Sequence, residues 1–442
     1  MPLQYPACQF RCARKNGHLQ WQQRHAVNEQ DGQRGERYCD YAVEKPDELE
    51  IVAVAEANPQ ILKKAQKKHD IPDEYAFDDW KKLASLDKMA DFAIISTQDR
   101  MHLEPALALI EKGYDLLLEK PMSPFPEECK AITKAAEKKG VNVVVCHVLR
   151  FSPFWLKVKE IVDSGKIGKI MSVIHMENVG ILNNSHSYIR GNWRITADSS
   201  PMILAKSCHD TDILQWIIGK ECKKVQSFGS RTHFTPENKP EGAPDRCTDG
   251  CPYHDTCPYN AIKTYYDYRE DPVRRQTVTG IVNPTDEQVW HGLETGLYGR
   301  CVYACDNDVV DHQVVNMEFE DGCTVSFTMN GFNKGGRFIR IFGTKGELEG
   351  DMGACTIKVF DFSSGETQEL DTEKIGQHIE SGHGGGDRGI MVDTVRYFAG
   401  EGQSKSICDV RLSYISHIIA FAAEESRLTG KVIDIDEYSE SL

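Results

Sequence analysis

Three short apolar runs constrain this chain more than any other feature: Ile51-Val52-Ala53-Val54-Ala55, Phe92-Ala93-Ile94-Ile95-Ser96 and Leu116-Leu117-Leu118. Each is about the length of a strand and shows no polar alternation, as expected of strands covered by helices on both faces. Helical segments follow them. Pro59 to His69 places Ile61, Leu62 and Ala65 on one side, and His102 to Lys112 stops at Gly113. Pro124 to Lys139 has Ser123 as its expected cap and Gly140 beyond its end. Val141 to Cys146 reads as a further buried strand. Strand–helix alternation of this kind predicts α/β architecture: a Rossmann-like, doubly wound parallel sheet.

After Arg150 the pattern changes. Trp155, Val158, Ile161 and Val162 mark a helix, Met171 to Glu177 alternates like a strand with one wet face, and Asp210 to Ile218 reads as a helix ended by Gly219. Val315, Met317 and Phe319 alternate into an Asp321-Gly322 turn, then Val325 and Phe327 alternate out of it, a hairpin signal. Ile339 and Ile341 continue the sheet. Asp409 to Thr429 is a helix expected to bury Leu412, Ile415, Ile418, Ile419 and Ala422. The second half is therefore expected to be α+β with a large, mostly antiparallel sheet. Residues 232–298, rich in Pro, Gly, Cys and Tyr and without a period, read as an insertion.

The expected domain plan is an atypical segment 1–31, a dinucleotide-binding domain 32–150 and a substrate and oligomerisation domain 151–442. A chain of 442 residues accommodates about two or three domains. Its net charge of −15 gives no electrostatic support to nucleic-acid binding. No apolar run approaches the ~18 residues of a membrane span, and Met1 to Asn28 has no apolar core of a secretory signal. The 15 cysteines are then expected as reduced thiols in the cytoplasm, with metal binding open to any cluster.

In such folds chemistry gathers at the carboxyl ends of the strands. Here those ends carry Glu56, Ser96-Thr97 and Glu119-Lys120-Pro121. A dinucleotide also needs a glycine turn opening a helix. The hexad Gln30-Asp31-Gly32-Gln33-Arg34-Gly35 keeps the second and third glycines and has Gln30 in place of the first. The preceding His25-Ala26-Val27-Asn28-Glu29 does not read as a buried parallel strand, so the first strand is expected to be missing or altered. Two explanations stay open: a misread or frame-shifted start, or loss of cofactor binding. Glu56 lies about 20 residues on, where an acid binds the ribose diol and repels a 2′-phosphate, favouring NAD over NADP. Cys247, Cys251 and Cys257, with Cys301, suggest a structural zinc in preference to an iron–sulfur cluster, whose Cys-x2-Cys spacing is missing; free reduced thiols are the alternative.

Taken in order, Glu119-Lys120-Pro121 at a strand end, His209 with Asp212 three residues on, and Gly343-Thr344-Lys345-Gly346 resemble the glucose–fructose oxidoreductase / inositol dehydrogenase (Gfo/Idh/MocA) family. The resemblance runs from about residue 32 to the end, with the insertion outside the common core. It implies an NAD-dependent dehydrogenase acting on a hydroxyl of a sugar, sugar derivative or cyclitol. It also implies a homodimer or homotetramer and a cis peptide before Pro121. Lys120 would polarise the hydroxyl. The family's Asp four residues before the histidine is Ala205 here, so Lys206 and His209 are expected to share the proton. The resemblance further implies cofactor contacts from Gly32, Arg34, Gly35, Glu56, Ser96, Thr97, His102, Glu119, Lys120 and His147. Substrate contacts would come from Arg150, Tyr188, Trp193, Arg194, Asp212 and His383, the last on a flexible loop running to Asp387. Alternatives are a redox-assisted glycosidase with tightly held NAD, or a non-catalytic sugar or nucleotide sensor.

Overall fold

The computed structural model describes the backbone of residues 24–30 together with residues 34–269, 271–374 and 383–442. Its first sheet contains β1 (Arg24–Gln30), β2 (Leu49–Ala55), β3 (Ala76–Phe77), β4 (Phe92–Ser96), β5 (Asp115–Leu118) and β6 (Val143–Val145). They lie in the order β3-β2-β1-β4-β5-β6, all parallel. Helices α1 (Arg34–Glu44), α2 (Pro59–Lys68), α3 (Trp80–Ser85), α4 (Leu103–Glu111) and α5 (Pro126–Lys139) connect them. β4 is buried at every residue, as its unbroken apolar run requires.

The central slot of this sheet is filled. Arg24–Gln30 pairs with β2 on one side and β4 on the other, which corrects the expectation that His25 to Glu29 could not form a strand. A parallel ladder is made by backbone N–H and C=O groups, which almost every residue type supplies. The side-chain criterion judged something the ladder does not need. The strand remains unusual in composition, and Gly32 and residues 1–23 lie outside the described residues.

The second sheet has nine strands: β7 (Ile170–Asn178), β8 (Cys222–Ser230), β9 (His312–Phe319), β10 (Thr324–Asn330), β11 (Gly336–Gly343), β12 (Gly346–Asp351), β13 (Thr356–Asp361), β14 (Thr367–Asp371) and β15 (Ile433–Asp434). Their order is β14-β13-β12-β11-β7-β10-β9-β8-β15. The β7–β10 pair is parallel and the other neighbours are antiparallel. The expected β9–β10 hairpin turns through Asp321 and Gly322, with Gly322 at φ +81°. Among the described residues no helix is long and apolar enough to cross a membrane.

Several local expectations shift. α5 begins at Pro126 rather than Pro124, because Ser123 closes a turn instead: its hydroxyl accepts the Phe125 N–H at 3.1 Å. The helix expected from Asp210 begins at Cys208. In the helix Val410–Thr429, Leu412 is 40% exposed, and small residues such as Ser413, Ser416 and Ala420 face inward. They allow close packing on β8 and the helix Cys208–Ile218. Among its described residues, the segment 232–298 holds the α-helices Pro272–Thr279 and Asp286–Thr295 and a small core around Tyr265, Val289 and Leu293.

The glycine run after His383 is an ordered helix start, and only its first turn lies outside the helix Gly386–Phe398. A Cβ on Gly386 would stand 2.2 Å from the Val148 carbonyl oxygen, and one on Gly389 would stand 2.8 Å from Phe151 Cβ. These glycines therefore serve close packing against the segment after β6. Gly386→Ala is expected to lower the unfolding free energy by about 1–3 kcal/mol. Urea denaturation checks this, and an unchanged midpoint would refute the close-packing account.

Candidate functional site

The carboxyl end of β5 carries a dense polar arrangement. Glu119 Oε2 accepts the Lys120 backbone N–H at 2.8 Å, while Oε1 accepts Arg34 Nε at 2.9 Å and the Tyr38 hydroxyl. Arg34 also grips Asp387 with two prongs, at 2.9 and 2.8 Å, and Asp387 bonds His383 Nδ1 at 2.9 Å. One guanidinium thus ties α1 to the end of β5 and to the start of the helix Gly386–Phe398. Burial alone would raise the Glu119 and Asp387 carboxyls. Arg34 with Lys120 at the first, and His383 with Arg34 at the second, hold both below the usual carboxylate range.

The Lys120–Pro121 peptide is cis, as the resemblance implied. Lys120 Nζ donates to the Ala205 carbonyl at 2.8 Å, which brings the strand end to the start of the helix Cys208–Ile218. His209, on that helix, is 5% exposed. Its ring centroid lies 5.9 Å from that of His383 and 5.8 Å from that of His147, which in turn is 5.6 Å from His417. Burial, then the charge of Lys120, pushes His209 well below its ordinary value. Burial does the same to His147, to about 4, and to His417, to about 3. His209 is therefore a neutral imidazole near pH 7, and its Nδ1 is buried with no hydrogen-bond partner among the described residues.

The other expected residues divide into two groups. Lys206 stands apart from His209's strongest neighbours: its ammonium pairs with Glu177 at 3.3 Å. Glu177 also meets Arg337 at 2.8 Å, and Arg337 reaches Asp210, which bonds His175 at 2.8 Å. Tyr188 is buried beside this network, with Asp99 and Glu177 as electrostatic neighbours. Trp193 Nε1 donates to Asp99 at 3.2 Å. Lys206 thus faces the second sheet, while Tyr188 and Trp193 lie beside Asp99, just beyond the end of β4.

Arg150 and Asp212 are spent on each other in a buried two-pronged pair at 2.7 and 2.6 Å. His147 Nε2 is bonded to Ser413 Oγ at 2.9 Å. Arg194 pairs with Asp306 near the surface. His102 is fully buried and joins Pro121 O at 2.8 Å to Thr97 O at 3.0 Å, stapling two strand ends together. Ser96 and Thr97 are buried at the end of β4, Gly35 is buried in α1, and Glu56 is buried at the end of β2. Glu56 Oε1 there accepts the Asn58 N–H at 2.6 Å. Asp387, Tyr38, Glu177, Arg337 and His175 were not anticipated as site residues. The Gly-rich run ending in Asp387 was the one sequence signal among them.

Among the described residues, one set of three potential metal ligands has donor atoms within 4.8 Å of one another: His147, Asp212 and Cys408. Arg150 already neutralises that carboxylate, so the trio does not suit a cation. No three of Cys247, Cys251, Cys257 and Cys301 are drawn that close, so the expected zinc set is not preassembled.

Two family models match the chain. "Oxidoreductase family, NAD-binding Rossmann fold" covers residues 31–147, and "Oxidoreductase family, C-terminal alpha/beta domain" covers residues 159–420. The Bacillus subtilis protein YteT is 25% identical over 363 residues, 78% of this chain and 81% of that protein. Inositol 2-dehydrogenase 2 of Saccharopolyspora erythraea is 28% identical over 160 residues, 36% of this chain and 42% of that protein. A solved oxidoreductase domain protein from Kribbella flavida superposes with TM-score 0.68 at 17% identity, covering 95% of this chain and 100% of that one. Levoglucosan dehydrogenase in complex with NADH and levoglucosan superposes with TM-score 0.66 at 16% identity, covering 93% and 98%.

The buried histidines make stability depend on pH. Their folded values lie below the ordinary ~6.5, so the unfolded chain takes up protons first. Stability is complete above about pH 6.5 and falls as pH drops toward 4. His147, His209 and His417 contribute up to about 1.4 kcal/mol per pH unit each; His383 is more exposed and adds less. Urea titrations at pH 7 and 5 check this, and equal stabilities would contradict it.

Proposed function

We propose, for a chain that belongs to the Gfo/Idh/MocA oxidoreductase family, hydride transfer between NAD and a hydroxyl of a sugar, sugar derivative or cyclitol. The observation that carries this reading is the convergence of Lys120 and His209 at the carboxyl end of β5. There a fixed ammonium is the strongest charge acting on a neutral, buried imidazole. The substrate class is supported by relatives named inositol 2-dehydrogenase and levoglucosan dehydrogenase. Of the alternatives, the sensor is disfavoured because it would not need that pair. Nothing favours the glycosidase over plain hydride transfer.

The residues present suit a dinucleotide. The ends of β2, β4 and β5 face one edge, where α1 begins, and His209 leaves a buried ring nitrogen unpartnered. Bound NAD supplies the hydride acceptor. Arg34, Gly35, Glu56, Ser96, Thr97 and Glu119 would hold it, with Glu56 favouring NAD over NADP through repulsion of a 2′-phosphate. His102 and His147 brace these contacts from behind. Lys120 stabilises the developing alkoxide, and His209 takes the hydroxyl proton. Lys206, held by Glu177, orients substrate with Tyr188, Trp193 and His383 rather than sharing the proton. Arg150 and Asp212 hold the scaffold.

The same proposal divides the chain near residue 150, places residues 232–298 as an insertion in the second domain, and makes the protein a cytoplasmic homo-oligomer.

Titration with NAD and NADP by nicotinamide fluorescence is expected to show tighter NAD binding; no binding of either would overturn the cofactor assignment. Lys120→Met is expected to lower kcat at least about 100-fold while leaving the NAD Kd within about threefold. Lys206→Ala should act mainly on KM. A Lys120→Met enzyme with wild-type kcat would remove Lys120 from the chemistry.

A further inference from the structure

The insertion carries a second feature, remote in role from hydride transfer: a buried arginine enclosed by thiols. Arg190 is 1% exposed. Its Nε donates to the Arg300 carbonyl and its Nη2 to the Tyr259 carbonyl, both at 2.7 Å. Its Nη1 is buried with no hydrogen-bond partner among the described residues. No described carboxylate forms an ion pair with it. Besides those carbonyls, its electrostatic neighbours are Tyr265 and the thiols of Cys247, Cys305 and Cys301.

The backbone explains how the thiols meet. Arg246 and Arg300 form an antiparallel bridge, with the Cys247 N–H on the Gly299 carbonyl at 2.9 Å and the Cys301 N–H on the Asp245 carbonyl at 2.8 Å. Cys247 and Cys301 flank the bridged pair diagonally, so both sit on the ribbon face opposite Arg246 and Arg300. Cys257 lies within electrostatic reach of both. Cys305 follows Cys301 by one tight turn, and its Sγ donates to the Cys301 carbonyl at 3.3 Å. Cys247 Sγ is the acceptor for the Ala261 N–H at 3.5 Å and for Arg190 Nη2 at 4.0 Å. The Cys247 sulfur thus faces donors from both the Arg190 guanidinium and the Ala261 backbone. Cys251 is half-buried.

We propose that Cys247, Cys257, Cys301 and Cys305 hold a thiolate-ligated metal centre, with Arg190 as its charge partner. A guanidinium keeps its proton, so its burial calls for a compensating anion. Neutral thiols do not provide one. Four thiolates around Zn2+, or around a [4Fe–4S]2+ cluster, carry a net charge of about −2 and do. Both centres share the chemistry of a soft metal on sulfur. A closed zinc site needs sulfurs about 3.8 Å apart, from Zn–S bonds of about 2.3 Å, so zinc would draw this group tighter. A cubane spans wider sulfurs. The centre would brace a segment whose own apolar cores are small. The assignment differs from the spacing-based set by replacing Cys251 with Cys305, and it stands or falls independently of the dehydrogenase reading.

The test is metal and acid-labile sulfide analysis of the full chain, purified without oxygen, chelator or a histidine tag. The expected result is about one zinc per chain, or about four irons and four sulfides with visible charge-transfer absorption. Cys257→Ser and Cys305→Ser are each expected to lower occupancy at least about fivefold. Cys251→Ser and Cys323→Ser, the latter a buried thiol of the β9–β10 turn, should leave it unchanged. Should a serine variant not fold, alkylation of the native chain before and after chelation decides the matter. The four named thiols should become reactive only after chelation. Less than about a tenth of an equivalent of either metal, both as purified and after reconstitution with Zn2+ or with Fe2+ and sulfide, would overturn the proposal. So would full occupancy in Cys305→Ser together with loss in Cys251→Ser.

Discussion

One guanidinium sets the geometry on which the candidate site depends. Arg34 joins Glu119 at the end of β5 to Asp387 at the start of the helix Gly386–Phe398. These residues are far apart in sequence, and the guanidinium offsets the cost of burying both carboxylates. The pairing fixes the strand end from which Lys120 projects. It also sets the helix that delivers His383, and the close seat of Gly386 on the Val148 carbonyl lets that helix approach.

Around this clamp the protein keeps its histidines neutral and its carboxylates charged. The histidines lose charge chiefly to burial; the carboxylates keep theirs because arginine or histidine stands against each. A neutral imidazole beside an ammonium is the combination that removes a proton from a hydroxyl while an oxyanion forms. The absence of an acid at Ala205 changes the support and leaves that pairing in place. Lys206, its neighbour in sequence, turns instead to Glu177 and the second sheet.

The segment 232–305 follows a different physical rule. Its helices are short and its apolar clusters small. It buries an arginine beside the thiols of Cys247, Cys301 and Cys305.

The sequence by itself determined the architecture. Unbroken apolar runs such as Phe92 to Ser96 can be buried only in a sheet covered on both faces, and the alternation from Val315 to Phe327 only in a half-exposed hairpin. It also singled out Glu119, Lys120 and His209 as candidates, through their resemblance to a family pattern at a strand end and a helix start. Tertiary structure alone decided the partnerships. That Arg150 neutralises Asp212, that Lys206 leaves His209 for Glu177, and that Arg34 reaches Asp387 depend on elements many residues apart being packed together. Side-chain pattern could not reveal β1, whose place rests on backbone pairing. Local periodicity reports which face is apolar; only the folded chain brings opposite charges within hydrogen-bonding distance.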